Sequence, residues 1–267
     1  MRMTTRPVPR AWLSAALDLL LRASAVRPRV RMETVQREDL TDADVRELHA
    51  MANQLMAEDL AHFRVHAGAN DLVHVFRRAD TGEVVGFQFW RTGPIALPRS
   101  RVIIGGKLRI RPELRNHGLH LLSGLVFYLQ NKLRDPGTRY YRLSLASLFG
   151  FVSITEALAS YHLFDPRERD GEAGAVRDAL VALAGESGFR LDEETGLFSV
   201  NIFMTPETLA RYPPRYFERA AARLYASRNP GFRTNGCYLG FWFRMTPENL
   251  LSLADAIRRK LFQARSS

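Results

Sequence analysis

Apolar positions recur along this chain with two periods, and the switches between them lay out the elements. Residues 30–35 alternate weakly, as a first strand does. Thr41 then stands at the N-cap of a helix read as far as Asp59, with Val45, Leu48, Ala52, Leu55 and Met56 on one face. Residues 72–78 and 84–91 read as strands joined at the turn Asp80-Thr81-Gly82. A loop with Pro94 and Pro98 leads to a strand over 102–111, where Gly105-Gly106 predicts a bulge or a close backbone approach. Residues 119–134 form a helix with Leu122, Leu125, Val126, Leu129 and Leu133 on one face, stopped by Asp135-Pro136-Gly137. The pattern continues as a strand over 140–146, a helix over 153–163, a polar loop over 166–175 and a helix over 176–184. Residues 197–204 read as a strand, 206–227 as a helix weakened at Pro213-Pro214, 237–245 as a strand and 247–264 as the last helix.

Thr205-Pro206-Glu207 and Thr246-Pro247-Glu248 both open helices after an apolar strand. Thr at the N-cap, Pro in the first turn and Glu at the positive dipole end explain each copy, and so favour convergent capping over duplication. With no linker or low-complexity stretch, one elaborated domain over 30–267 with a C-terminal extension is expected, preceded by an arm over 1–29. In the arm, Arg2, Arg6 and Arg10 precede an apolar run over 11–21, which superficially resembles a secretory signal. Ser14, Asp18 and Arg22 recur every four residues, however, so an amphipathic helix is the better reading, and the run is too short to span a bilayer.

Composition adds charge to this picture. The 267 residues carry 38 Lys+Arg against 28 Asp+Glu, a formal +10, and only Lys107, Lys132 and Lys260 are lysines. The excess sits in blocks: seven Arg and one acid over 1–31, and six basic groups and one acid over 99–115, separated by an acidic stretch. Each block reads either as solvated surface or as an anion site for phosphates, anionic lipid or an acidic carrier protein. Cys237 is the one cysteine, which excludes an intrachain disulfide and a multi-cysteine zinc site. The basic blocks lack interleaved aromatics and a DNA-binding motif, so nucleic acid is an unlikely partner. Nucleotide P-loops, H-E-x-x-H and G-x-S-x-G are absent from the sequence, and no metal is expected.

The segment from Leu108 to His120 carries the chemistry: a strand, a basic turn with Gly118, and a helix start. Unpaired N–H groups and the positive dipole end at a helix start make an anion site, and Gly118 permits close backbone approach or a positive φ. Arg111 and Arg115 bring two guanidiniums to the same turn. The same pattern also serves as a capped connection with surface arginines.

Here the sequence resembles the GNAT acyltransferase superfamily, whose pyrophosphate signature is a strand ending L-x-V-x-P followed by Q/R-x-x-G-x-G/A at a helix start. Leu108, Ile110 and Pro112 match the strand, Arg115 and Gly118 match the loop, and His120 replaces the usual small residue. Further on, Ser153, Glu156-Ala157, Tyr161 and Phe164 resemble the family's N-x-x-A-x-x-x-Y and following Phe.

The resemblance implies an α/β (α+β) fold with a mixed, mostly antiparallel sheet flanked by helices, an extra N-terminal helix and C-terminal helical elaborations. Its order runs strand, two helices, three antiparallel strands, helix, strand, helix, and two final strands. It implies direct acyl transfer from acyl-coenzyme A, or from the phosphopantetheine of an acyl carrier protein, to a small-molecule or peptide amine. The donor would lie along Leu108, Ile110, Arg111, Arg115, Asn116, His117, Gly118, Leu119 and His120, with backbone N–H groups of residues 106–110 polarising the thioester. Tyr161 matches the family's thiolate-protonating tyrosine. No carboxylate lies over 102–107, so the catalytic base is sought among His117, His120, Glu83 and Ser144 acting through a water. The N-acyl amino acid and acyl-homoserine lactone synthase branch takes its chains from an acidic carrier, which the 99–115 block would suit. The aromatic strands over 198–204 and 238–243 then read as an acyl tunnel or simply as buried sheet. The other class of reading is a non-catalytic interaction protein on the same scaffold, meeting anionic membrane through residues 1–31. The expected location is cytoplasmic, with peripheral membrane association under that second reading.

Overall fold

The structure is a computed structural model and describes residues 17, 19–26, 28–115 and 117–262. In chain order the first half is β1 (Val30–Gln36), α1 (Asp42–Asn53), β2 (Met56–Ala57), α2 (Leu60–Gly68), β3 (Leu72–Arg78), β4 (Val84–Pro94), β5 (Ser100–Ile110), α3 (Leu119–Arg134), β6 (Arg139–Ala146) and α4 (Leu148–Thr155). The second half is β7 (His162–Leu163), α5 (Gly171–Glu186), β8 (Arg190–Asp192), β9 (Leu197–Ser199), β10 (Phe203–Met204), α6 (Pro206–Ala210), α7 (Pro214–Phe217), α8 (Ala220–Arg228), β11 (Cys237–Arg244) and α9 (Pro247–Phe262).

The main sheet runs β1-β3-β4-β5-β6-β11-β9-β8, and β5–β6 is its parallel pair. A parallel pair needs a crossover, which α3 supplies. Helices cover both faces. Leu119, Leu122 and Val126 of α3 pack with Phe151 of α4 and Ile257 and Leu261 of α9 on one face. On the other, Leu48, Phe63 and Leu180 bring α1, α2 and α5 against Phe87 and Phe89. The fold class expected from the sequence is thus the one observed: a mixed, mostly antiparallel sheet between helices. Leu17, Leu21 and Val26 are buried in the α3–α9 core, and the Ala25 N–H donates to the Leu261 carbonyl at 2.7 Å. Ser14 and Asp18 of the expected polar stripe lie outside the described residues.

Several elements depart from the sequence reading, each for a local reason. The helix read from Thr41 to Asp59 ends at Asn53, because Asp59 caps a second helix, accepting from the Ala61 and His62 N–H groups. The helix read over 153–163 is instead Leu148–Thr155, which buries Leu148, Phe151 and Val152. The segment after it is held open by Asn249, whose side-chain oxygen accepts from the Ala159 and Ser160 N–H groups. Helix α5 begins at Gly171, inside the expected polar loop. The strand read over 197–204 breaks at Asn201, which has φ 54°, and its far end pairs with β2 instead. Residues 206–228 form three short helices, the first two separated at Pro213-Pro214.

The feature that positions the site is a fork. β5 pairs with β6 from Ser100↔Arg139 to Ile104↔Leu143 and then departs, while Ser144, Leu145 and Ala146 continue beside β11. Against β4, Gly106 faces Phe89 and Arg109 faces Phe87, so two β5 residues oppose Gln88 alone. This is a β-bulge, with Lys107 at φ 42°, and a bulge bends its strand and locally ends pairing. Gly106 is required beside it, because a Cβ there would run into the His66 ring. Overpacking a well-filled site costs about 1–3 kcal/mol, so Gly106→Ala should lose that much in urea denaturation. The loss should shrink in a His66→Ala background; an equal loss in both would show that His66 is not the reason for the glycine.

Candidate functional site

The fork opens into a cleft of about 220 Å³ that passes between β5 and β6 and reaches both faces of the sheet. At one end lies the turn before α3. Pro112–Leu114 forms a short 3-10 turn, and Gly118 then takes φ 74° as the residue preceding the helix. A side chain at that φ would be strained, and a Cβ would meet Lys260 of α9 at 3.0 Å. Arg115 is anchored across the turn, donating from Nε to the Ile110 carbonyl at 3.2 Å and from Nη1 to the Tyr212 hydroxyl at 3.4 Å. His120 is buried and shares a 3.0 Å hydrogen bond between its Nε2 and the Ser153 hydroxyl.

On the α2 side a buried charge cluster closes the cleft. Glu58 has a fully buried side chain and pairs with the Lys107 ammonium, with His62 Nδ1 at 3.1 Å and with Arg109 Nη2 at 3.7 Å. Burial, and then the neighbouring Arg109, push the Lys107 ammonium down to about 6. Burial first, and then Arg109, Arg91 and His62, push His66 down to about 3. Neither His66 ring nitrogen has a hydrogen-bond partner.

On the α3 side, at the apex where the strands part, stand Arg142, Gln88 and Ser144. Arg142 Nη1 donates to the Leu143 carbonyl at 2.8 Å, and its guanidinium lies 4.6 Å above the Trp90 ring. Burial lowers Arg142 to about 9. Trp90 is itself fixed, its Nε1 donating to Ser123 at 2.7 Å and its ring stacking on Phe127.

Among the described residues lining the cleft are five basic side chains, Arg91, Lys107, Arg109, Arg115 and Arg142, and no carboxylate. Such a wall favours an anionic occupant. The sequence-predicted residues distribute unevenly around it. Leu108, Ile110, Arg115, Gly118, Leu119, His120 and Ser144 line the cleft. Arg111 and Glu83 pair with each other at 2.6 Å on the outer side of the hairpin. His117 is buried beside the turn without lining the cleft, and Asn116 lies outside the described residues. Tyr161 packs edge-on against Phe151 and Phe241, away from the cleft, and burial raises its phenol. The basic block over 99–115 is not one surface, since Lys107 and Arg109 turn inward.

Glu58, Lys107, Arg109, His66, Gln88 and Arg142 were not among the sequence candidates. Arg142 carried a signal, being a lone charge within an apolar strand between two helices. Glu58 carried none, because it fell inside the helix read to Asp59. No group of three or more potential metal ligands occurs among the described residues, and none of their helices is long and apolar enough to cross a membrane.

No protein-family model matches this chain, and no curated protein does. Among solved structures, the chain is similar to the NatC complex bound to Gag peptide and CoA, at 8% identity and a TM-score of 0.38, over 52% of this chain and 90% of that one. It is similar to the ribosomal-protein-S18-alanine N-acetyltransferase from Escherichia coli, at 14% identity and a TM-score of 0.32, over 50% and 82%. It is also similar to the loading GNATL domain of CurA from Lyngbya majuscula, at 15% identity and a TM-score of 0.32, over 83% and 98%. At such distances no activity passes from those proteins to this chain.

Three buried histidines set the acid response. His66, His74 and His120 all lie near 3, with burial the first cause of each depression. The unfolded chain therefore binds more protons than the folded one between about pH 6.5 and pH 3, and folding stability should fall as pH falls through that window. Urea denaturation across a pH series should show it, and His120→Gln should reduce the slope by about one proton. A flat profile down to pH 4 would contradict the buried neutral state.

Proposed function

We propose that this chain is an N-acyltransferase that takes its acyl group from a coenzyme A thioester and passes it directly to an amine. The observation that carries this reading is the continuity of the cleft. It joins the glycine turn at the start of α3 to the β5–β6 fork, and the fork to the buried Glu58–Lys107 pair on the opposite face. A long anionic donor fits that path, with its phosphates at the helix start beside Arg115 and its reactive end at the fork. Leu108, Ile110, Arg115 and Gly118, matched to the acyltransferase signature in the sequence, line this end of the path.

The chain's own groups divide the work. When bound, the thioester supplies an acyl carbon to which the amine nitrogen bonds as the carbon–sulfur bond breaks. Beyond Ile104, β5 has lost its β6 partner, so its backbone N–H groups on that side face the cleft and can donate to the carbonyl oxygen as it gains charge. The Lys107–Glu58 pair stands beside the fork; a lysine held near 6 is largely neutral at pH 7 and accepts the proton the amine sheds. That proton then goes to the departing sulfur, which balances the transfer. Leu108, Phe149 and Tyr212 line the path and keep it apolar between its polar ends.

Calorimetric titration with coenzyme A should show saturable binding, weakened about tenfold in Arg115→Ala, as the loss of one charge-assisted contact predicts. Absence of binding to the wild-type chain would end this reading. Lys107→Met should separate the roles, lowering turnover by about 10²-fold or more while coenzyme A affinity stays within about twofold. A loss confined to affinity would place Lys107 in donor binding instead.

A further inference from the structure

The apex of the fork holds polar groups that the transfer chemistry above does not use. Gly105 lies at their centre. A Cβ on Gly105 would stand 2.5 Å from Arg142 Nη2 and 2.9 Å from Gln88 Nε2, so these two N–H donor groups from β6 and β4 close over the glycine, and both side chains line the cleft beside it. Ser144, on the same face of β6 as Arg142, has a buried hydroxyl without a partner, and Gln88 Oε1 also has none. All three side chains are more than nine-tenths buried: Arg142 is 7% exposed, Gln88 3% and Ser144 3%.

A buried guanidinium ordinarily has a carboxylate beside it, because the charge cannot be left without compensation. The other three buried basic groups of the cleft obey this, since Lys107 and Arg109 share Glu58 and Arg91 pairs with Glu186. Arg142 does not. Among the described residues no carboxylate lies within ion-pair distance of it, and its attractive partners are two backbone carbonyls and the face of Trp90. Among the described residues the compensating charge is absent, and the place for it is the part of the cleft that Arg142, Gln88 and Ser144 line.

We propose that this apex is a carboxylate subsite, and that the transferred acyl group itself ends in a carboxylate, as in the coenzyme A thioester of a short dicarboxylic acid. The inference deepens the thioester reading and rests on it for the direction of entry. Arg142, Gln88 and Ser144 occupy the α3 face, the face on which the donor's phosphate end lies, whereas Glu58, Lys107 and His66 occupy the opposite face. The end of the donor therefore reaches the apex before an acceptor does. Arg142 Nη2 and Gln88 Nε2 take the two carboxylate oxygens, a fork-like geometry that a guanidinium suits better than an ammonium. Chain length is bounded by Trp90, which floors the apex under Arg142 and is locked by Ser123 and Phe127, so the acyl group is short.

The test compares succinyl-coenzyme A with butyryl-coenzyme A, donors of equal chain length that differ in the terminal carboxylate, by calorimetric titration of the full chain. Wild type should prefer the succinyl thioester by about tenfold or more, as expected for a charge-assisted pair, and Arg142→Met should reduce the preference to within about twofold. Equal affinities in wild type, or a preference that survives in the variant, would overturn the subsite. Should Arg142→Met fail to fold, Gly105→Ala displaces Arg142 and Gln88 from their seat on β5 and should abolish the preference equally. Failure of coenzyme A itself to bind would remove the thioester reading alone. The apex is then read with butyrate against butyramide, the anion and its neutral isostere, in thermal melting. A butyrate-specific rise lost in Arg142→Met keeps the carboxylate subsite, and no rise removes it.

Discussion

The departure of β5 from β6 after Ile104 sets the terms for the rest of this molecule. Strands that separate inside a sheet leave N–H and C=O groups without their ladder partners, and such groups are costly to bury. The separation persists because it is imposed from several sides. The Lys107 bulge turns β5 outward, the two glycines before it admit His66 and Arg142 from opposite faces, and β11 continues to hold β6 after β5 has gone. The result is a polar-lined opening through the middle of a hydrophobic sheet. Nearly every side chain of interest either wedges the opening or points into it.

Charge follows from that geometry. Five basic side chains gather around the opening, and the chain supplies Glu58 to Lys107 and Arg109 and Glu186 to Arg91. Placing cations in a low-dielectric wall raises their attraction for an anion and also the cost of leaving them without one. The arrangement therefore trades folding stability for readiness to bind. The formal +10 of the sequence is in this respect misleading, because the part that matters faces inward and amounts to a few groups.

Local pattern made much of this fold readable. The apolar runs of β3 and β4 and the apolar face of α3 appear in the sequence nearly at their observed limits, as does the glycine turn that opens α3. What stayed hidden depends on partners far along the chain. α2 was merged into α1 because the capping role of Asp59 cannot be told from helical continuation when Leu55 and Met56 keep the period. Tyr161 was placed on a helix because nothing local shows that Asn249 will hold the preceding loop. At the site, Gly105 reads as a weakness in a strand until Arg142 and Gln88 are seen above it, and His66 reads as an ordinary helix residue until Gly106 is seen beneath it. Convergence of groups separated by tens of residues leaves no periodic trace.

The contact between Ala25 and Leu261 joins two segments more than two hundred residues apart, in the same core that backs the start of α3. Closing so long a loop carries an entropic cost that grows only slowly with its length, so modest burial by Leu17, Leu21 and Leu261 suffices to hold it. Because Lys260 rests on Gly118, the glycine turn has as its floor a helix whose own seat is the segment around Ala25. These three pieces therefore pack as one contiguous block. Order at the glycine-turn end of the cleft depends not on the turn alone but also on the pairing of Ala25 with Leu261.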